Sequence, residues 1–308
     1  MKILITGGSG FIGSTLAFSL VKKGHEVAVL DRRSNPALFA IRLWQGEFSD
    51  SALLEAALEG VEVVYHLAWS TIPETSNVDP QADTATNVIG TLRLLNACVK
   101  KGVRRIVFSS TGGTVYGNTE ISSVAEDAPT NPVCSYGITK LAVEKYLGLF
   151  AHLQKIDYVA LRISNAYGPH QDPKSKVGFI GAALAAAANK QVLNIWGDGS
   201  VVRDYVFVDD IVQAMVMAYD PVFANGVYHV SSGIGIDLNG LLSIIASAVG
   251  SPLKVKYSSG RDFDVKRVIL DSSKLRALGW SPEIDVNEGI RRTWDWIRVN
   301  AHNPRLAY

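Results

Sequence analysis

The stretch Lys2-Ile3-Leu4-Ile5-Thr6-Gly7-Gly8-Ser9-Gly10-Phe11-Ile12-Gly13 decides the fold of this chain. Its apolar start predicts a buried β-strand, and the apolar spacing after the glycines predicts a helix that ends at Gly24. A second predicted strand, 26–30, leads into Asp31. Together these elements form a dinucleotide-binding unit, because glycines let the backbone approach a pyrophosphate and an acid at this distance binds the ribose 2′-hydroxyl.

Composition excludes several classes of protein. The 308 residues are 47% hydrophobic with a formal charge of +1, and no basic stripe suggests a nucleic-acid or membrane-surface partner. There is no signal-peptide profile and no window of about 20 apolar residues, so we expect a cytoplasmic protein without a membrane span. Cys98 and Cys134 form neither a disulfide framework nor a metal-ligand pattern, and we expect no metal site.

The alternation of apolar stretches predicts the architecture. Predicted strands at 41–45, 61–68 and 105–109 alternate with predicted helices at 53–58 and 83–101. Parallel strands need covered crossovers, so this order predicts an α/β fold, a Rossmann-type doubly wound parallel sheet. The remaining segments predict a smaller mixed α/β C-terminal lobe, which places a dinucleotide-binding domain at 1–165 and a mainly substrate-binding lobe at 166–308.

Two further motifs carry the chemistry. Ser109-Ser110-Thr111 ends a predicted strand, where ligands bind in such sheets, and Tyr136 and Lys140 lie four residues apart on a predicted helix, 136–152. A phenol titrates near pH ~10, so a neighbouring ammonium and a positively charged nicotinamide are needed to make Tyr136 a base near neutrality. Ser110 or Thr111 would orient the reacting oxygen, and the pattern leaves that choice open.

These motifs occur in family order with His66-Leu67-Ala68, Asn87, Tyr116-Gly117 and Leu161-Arg162-x-x-Asn165-x-Tyr167-Gly168-Pro169. The chain resembles the extended short-chain dehydrogenases/reductases of the NAD-dependent nucleotide-sugar epimerase/dehydratase family, above all the UDP-glucose 4-epimerases. The resemblance implies inversion of C4 of a UDP-hexose through a 4-keto sugar with tightly held NAD. It also implies a homodimer formed through helices 87–101 and 136–152, and a return of about 204–232 to the first domain.

The fingerprint and the resemblance together assign residue roles. Asp31 would repel a 2′-phosphate that Arg32 or Arg33 could otherwise hold, which favours NAD over NADP. The expected catalytic residues are Thr111 or Ser110, Tyr136 and Lys140. The expected cofactor contacts are Gly7, Gly10, Phe11, Ile12, Gly13, Asp31, Arg32, Glu47, Phe48, Leu67, Ala68, Asn87, Ser109, Tyr136 and Lys140.

The resemblance assigns the substrate to the second half of the chain. Asn165, Arg203 and Arg261 match family residues that contact the diphosphate, and Asp264 is a further expected substrate contact. Val268 falls where some family epimerases have a tyrosine that crowds the sugar C2 substituent. Because valine is smaller, a UDP-N-acetylhexosamine could fit.

Three alternatives compete with epimerisation. Family dehydratases carry an Asp-Glu pair directly after the threonine, where this chain has Gly112-Gly113, which disfavours a 4,6-dehydratase. A 4-ketosugar reductase would use exchangeable NADPH, which Asp31 disfavours. A dinucleotide-sensing scaffold would not need the Tyr136 and Lys140 that this chain retains.

Overall fold

The computed structural model of the protein describes residues 1–172, 178–260 and 265–300. The chain forms two compact units. Unit 1 contains Met1–Val115, Thr130–Arg162 and Val212–Tyr228, and the remaining segments form unit 2. The chain therefore passes between the units several times, and 116–129, which we expected in the first domain, belongs to unit 2.

A seven-stranded sheet organises unit 1, in the order β10-β6-β5-β4-β1-β2-β3. The pairs that join β3, β2, β1, β4 and β5 are all parallel, so the predicted doubly wound sheet is confirmed. Its strands are β1 (Lys2–Thr6), β2 (Glu26–Asp31), β3 (Arg42–Gln45), β4 (Val63–His66), β5 (Arg105–Thr111), β6 (Asp157–Ile163) and β10 (Gly226–Val230).

Successive residues of a strand point to opposite faces of the sheet, so apolar side chains on both faces need helices to cover them. On one face of the sheet, Leu4, Val64 and Phe108 belong to a core that also contains residues of α2, α5 and α6. On the other face, the Tyr65 hydroxyl donates a hydrogen bond to the Met215 carbonyl of α8 (Val208–Met217). The helices of this unit are α1 (Phe11–Lys22), α2 (Ser51–Ala57), α3 (Pro73–Ser76), α4 (Pro80–Asp83), α5 (Gly90–Lys101) and α6 (Ser135–Gln154).

The helix predicted at 83–101 is helical throughout but contains a π-helical turn. It begins at Pro80 and consists of α4, the π-helical turn (Thr84–Ile89) and α5. Pro80 and the Asp79 cap, whose carboxylate accepts from the Ala82 amide, start the first piece. π-Helical turns are frequent at functional sites, and this one contains Asn87.

Unit 2 contains two small sheets, in which β9 pairs with β7, β11 and β13, and β8 pairs with β12. These pairings place β9 in unit 2, and the part of this region that belongs to unit 1 is Val212–Tyr228. The strands are β7 (Asn165–Tyr167), β8 (Leu193–Trp196), β9 (Val202–Phe207), β11 (Gly235–Asp237), β12 (Val255–Ser258) and β13 (Arg267–Val268). Helix α8 (Val208–Met217) begins in unit 2 and continues into unit 1 from Val212. The remaining helices are α7 (Phe179–Ala188), α9 (Leu238–Val249), α10 (Ser273–Arg276) and α11 (Val286–Asn300).

Two kinds of feature are absent from the described residues: membrane-spanning helices and clusters of metal-binding side chains. None of their helices has the length and apolar content needed to cross a membrane. In the same residues, no group of three or more histidine, cysteine, aspartate or glutamate side chains could hold a metal ion.

Candidate active site

The glycine turn between β1 and α1 has three differently constrained glycines. Gly7 has φ +73° and lies so close to the backbone of Ala68 that a Cβ atom would approach Ala68 N to 2.6 Å. A Cβ on Gly13 would approach the Gly7 carbonyl oxygen to 2.4 Å, whereas one on Gly10 would meet only that oxygen, at 3.3 Å. Gly10 therefore leaves its outer side open at the N-terminus of α1, which is what a pyrophosphate requires.

A cavity of about 160 Å³ lies against this turn, within unit 1. Asp31 stands at its wall, and its carboxylate accepts from the Ser9 amide at 3.0 Å and the Arg33 amide at 3.1 Å. The carboxylate is thus fixed before any ligand binds, while the Arg32 guanidinium lies 3.7 Å from the Glu47 carboxylate. The cavity is lined by Gly7, Gly10, Leu30, Asp31, Arg32, Arg33, Gly46, Glu47, Phe48, Leu67, Ala68, Trp69, Ser70 and Thr86.

Eight of the expected cofactor contacts line this cavity, and Asn87 supports its wall. Asn87 is fully buried, and its side-chain oxygen accepts from the Ser70 amide at 3.0 Å. Its amide nitrogen donates to the Asp83 carboxylate at 2.7 Å. Expected contacts outside the lining are Phe11, Ile12, Gly13, Asn87, Ser109, Tyr136 and Lys140.

Lys140 lies within a shell of aromatic rings and backbone. Its ammonium donates to the Ser109 carbonyl at 2.6 Å and lies 3.8 Å from the centroid of the Trp69 ring and 5.7 Å from that of Tyr136. Burial lowers the pKa of Lys140 to about 7, although the carboxylates of Glu144 and Asp83 oppose this shift. Near neutral pH, small changes in the surroundings of Lys140 therefore decide whether its side chain is charged or neutral.

The Tyr136 phenol is protonated in the protein alone. Burial raises its pKa, and the nearby Cys134 and Asp83 raise it further. The sequence-based expectation requires both the Lys140 ammonium and a positively charged nicotinamide to make Tyr136 a base near neutrality, and it stays a prediction.

The two adjacent hydroxyls, Ser110 and Thr111, have different hydrogen-bond partners. The Ser110 hydroxyl donates to the buried carboxylate of Glu144, which also accepts from Arg162 at 2.7 Å. Thr111 accepts from the Thr114 hydroxyl at 3.2 Å, which leaves its own proton free to donate. Of these two groups, Thr111 is the one whose donor is available to a ligand.

The start of α6 is held by residues that our sequence reasoning missed. The Ser76 hydroxyl oxygen accepts from the Tyr136 amide at 3.0 Å, and the Asn77 side chain accepts from the Ser135 amide at 2.9 Å. The buried Asp83 carboxylate accepts from the Ser135 hydroxyl at 2.6 Å. These contacts satisfy free donors of the first helical turn and so position Tyr136. No local pattern could show them, because they come from over 50 residues upstream.

A buried hydrogen-bond chain runs through His66. Its Nδ1 lies 2.7 Å from the Thr6 hydroxyl and its Nε2 lies 2.9 Å from the Thr91 hydroxyl. Burial, assisted by the Lys140 charge, lowers the pKa of His66 to about 3, so the ring is neutral. Since the Ala68 amide donates to the Thr6 oxygen at 3.4 Å, the chain connects His66 to the loop that lines the cavity.

Unit 2 has its own cavity, of about 190 Å³. Arg203 and Asn165 line it, and the Asn165 amide is fixed by donation to the Asp204 carbonyl at 2.8 Å. Val268 is buried in β13 in register with Arg203 but is not among the described residues that line the cavity. The predicted substrate contacts Arg261 and Asp264 lie outside the described residues.

Comparison with known proteins identifies the family. The model of the NAD dependent epimerase/dehydratase family matches residues 3–231. The chain belongs to this family. It is also 37% identical to the UDP-glucose 4-epimerase of Mycolicibacterium smegmatis, over 97% of this chain and 99% of that protein. The similarity extends over nearly the whole chain, and it agrees with the family resemblance found in the sequence.

Solved structures agree with this placement. The UDP-glucose 4-epimerase of Thermotoga maritima, solved with UDP-glucose, has a TM-score of 0.94 and 34% identity, covering 98% of this chain and 100% of its own. A UDP-N-acetylglucosamine 4-epimerase from Methanobrevibacter ruminantium, solved with UDP-N-acetylmuramic acid, has a TM-score of 0.91 and 30% identity, covering 97% and 98%. dTDP-glucose 4,6-dehydratases are also similar to this chain.

Proposed function

We propose that this family member is an NAD-dependent nucleotide-sugar 4-epimerase that inverts C4 of a UDP-hexose. The observation that carries the proposal is Tyr136 with Lys140 in unit 1, together with a hydroxyl donor, Thr111, that is not followed by acidic residues. The open side of Gly10 and the fixed carboxylate of Asp31 fit NAD, which supplies reversible two-electron redox chemistry at C4 when bound.

The chain itself supplies the proton relay. We assign to Thr111 a hydrogen bond to the C4 oxygen, which orients it toward the Tyr136 phenol oxygen. The phenolate form of Tyr136 takes the C4 hydroxyl proton as the 4-keto sugar forms. After the 4-keto sugar has rotated, the same phenol returns the proton to O4, and the configuration at C4 is inverted. Lys140, whose pKa burial lowers to about 7, would contact the ribose of NAD and favour the phenolate.

We propose that the cavity of unit 2 binds the nucleotide part of the substrate. Its arginine, Arg203, offers a guanidinium fork that suits a diphosphate, and Asn165 offers an amide beside it. A substrate held through its diphosphate leaves the sugar free to turn, as inversion requires. Arg261 and Asp264 are retained as further proposed contacts.

We also propose that the substrate range includes UDP-N-acetylhexosamines. Val268, the register neighbour of Arg203, is smaller than the tyrosine found there in some family epimerases. A Val268→Tyr variant that folds normally should turn over N-acetylated substrate less well relative to plain UDP-glucose. An unchanged ratio would contradict this part of the proposal.

The dehydratase alternative has no acid pair to support it. Losing water from a 4-keto sugar needs an acid and a base next to the reacting carbon, and Gly112 and Gly113 stand where family dehydratases carry them. A 4-ketosugar reductase would need exchangeable NADPH, and the fixed Asp31 carboxylate opposes a 2′-phosphate.

We propose a homodimer that forms through α5 and α6. Ile138, Tyr146, Leu149 and Leu153 are exposed and share one face of α6, although all four are large and apolar. A second copy of this chain would cover that face. Sedimentation equilibrium at micromolar concentration should give a dimer mass, and a Leu149→Glu variant should shift it toward the monomer.

The function can be tested without added cofactor. Purified protein should interconvert UDP-glucose with UDP-galactose, or the N-acetylated pair, on the NAD it retains. Tyr136→Phe should lower the rate at least 10²-fold while NAD stays bound, because only the proton acceptor is removed. Full activity in this variant, or turnover only with NADPH and a keto sugar, would overturn the proposal.

A further inference from the structure

Trp69 lies in unit 1 beside both Lys140 and Tyr136. It follows β4 in the loop that lines the dinucleotide cavity, next to Leu67 and Ala68. Its ring centroid lies 3.8 Å from the Lys140 ammonium and 6.3 Å from the centroid of the Tyr136 ring, at an interplanar angle of 82°. Trp69 therefore contacts Lys140 directly and is an edge-to-face neighbour of Tyr136.

The indole N–H of Trp69 has no hydrogen-bond partner among the residues that the structure describes. Nε1 is buried, and no hydrogen-bond acceptor for it exists among residues 1–172, 178–260 and 265–300. A buried donor left unpaired is destabilising, and such groups in native proteins call for an explanation such as a missing partner. Trp69 is one of the residues that line the cavity, so a ligand bound there is a candidate source of the acceptor.

The face of the same ring already has a partner. The Lys140 ammonium lies over it and also donates to the Ser109 carbonyl at 2.6 Å. A cation–π contact of this kind is attractive, and more so where water is excluded. It offsets part of the burial that disfavours the charged lysine, and it holds the ammonium where Ser109 can accept from it.

We infer that Trp69 is a positioning residue of the dinucleotide site. Its indole N–H donates a hydrogen bond to an oxygen of bound NAD, and its ring face holds the Lys140 ammonium in place. The inference rests on the proposed function, because that function makes NAD the ligand of this cavity. It adds a specific donor for NAD at a position that the glycine fingerprint does not include.

Two variants separate the functions of the ring. Trp69→Phe keeps an aromatic face for Lys140 but removes the N–H, whereas Trp69→Leu removes both. Trp44→Phe is the matched control, since Trp44 also stacks under a cation, with Arg42 at 4.0 Å, but is not among the described residues that line the cavity. All three need a thermal unfolding check before binding is measured.

Isothermal titration of nucleotide-free protein with NAD gives the first readout. Trp69→Phe should bind NAD about 3- to 10-fold more weakly than the unmodified protein, the effect of one hydrogen bond. Trp69→Leu should bind more weakly still, and Trp44→Phe should match the unmodified protein. Equal affinity in Trp69→Phe and Trp44→Phe would overturn the inference.

Proton–nitrogen NMR of the six tryptophan indoles gives a second readout that does not depend on activity. The signal that disappears in Trp69→Phe belongs to Trp69, and it should move downfield when NAD is added. If NAD binds but this signal does not move, the inference about Trp69 fails while the proposed function stands. If the unmodified protein binds no NAD, the proposed function fails, and the inference fails with it.

Discussion

The cavities of the two units are built in different ways. The cavity of unit 1 lies against the glycine turn after β1 and the segments that follow β2, β3 and β4. The cation associated with it, Lys140, is only 3% exposed. The cavity of unit 2 is assembled from β7, β8, β9 and the starts of α7 and α9, and its cation, Arg203, is half-buried. The first arrangement surrounds a cation with rings and backbone, whereas the second leaves a cation partly in water.

This difference matches two different tasks for a positive charge. Burial lowers the pKa of Lys140 to about 7, so its charge can respond to a bound cofactor and to Tyr136. A guanidinium stays charged at all relevant pH values, which suits the constant task of holding a diphosphate. The comparison therefore predicts that variants in unit 1 change chemistry or titration, whereas variants in unit 2 change substrate affinity.

The largest expected effect separates two adjacent hydroxyls of unit 1. Thr111→Val should lower kcat by about 10²- to 10³-fold, because it removes the donor to the reacting oxygen. NAD affinity should remain unchanged, which steady-state kinetics and titration would show together. Ser110→Ala is the matched variant: it should keep most of kcat but lose about 1 kcal/mol of stability, since its hydroxyl serves the Glu144 carboxylate. The reverse order of kcat would show that Ser110 is the catalytic hydroxyl.

The second prediction concerns the cation of unit 2. Arg203→Gln should raise KM for the UDP-sugar about 10- to 100-fold, the effect of losing charged hydrogen bonds to phosphate, and leave NAD affinity unchanged. Arg298→Gln is the control, because Arg298 is exposed on α11 and pairs with Asp295 at 2.8 Å. Weaker NAD binding by the Arg203→Gln variant would contradict the proposal that the unit 1 cavity binds NAD and the unit 2 cavity binds the substrate.

The smallest expected effect is a pH dependence of stability in the NAD-free protein. An unfolded lysine keeps its proton up to about pH 10.5, whereas folded Lys140 loses it at about pH 7. Between these values the unfolded chain binds more protons, so this residue makes stability rise with pH. From pH 7 to pH 9 its contribution is about 2 kcal/mol.

Urea unfolding at both pH values measures that contribution. Lys140→Met should remove this part of the rise in the free energy of unfolding. Lys145→Met, which changes an exposed lysine on the same helix, should retain it. Identical slopes in the two variants would show that Lys140 titrates like an ordinary lysine.

Local patterns were sufficient for the parts of the site that are contiguous in the chain. Gly7, Gly10 and Asp31 line one cavity because a strand, a tight turn and a helix place them within a single local unit. Ser76, Asp83 and Trp69 were missed because their roles depend on α6, which begins at Ser135. The π-helical turn within the helix at 83–101 was not predicted, because apolar spacing does not distinguish a π-turn from an α-turn.

Sequence patterns alone were enough to predict the α/β class, the dinucleotide fingerprint, the family and the Tyr136–Lys140 pair. Each depends on residue types at short, regular spacing, which backbone geometry converts directly into structure. The folded structure was needed to show that Ser110 bonds to a buried ion pair while Thr111 accepts from Thr114. It was also needed to show that burial shifts the pKa values of Lys140 and Tyr136, and that Trp69 contacts Lys140. Those outcomes depend on which distant side chains exclude water from a group, and spacing along the chain does not contain that information.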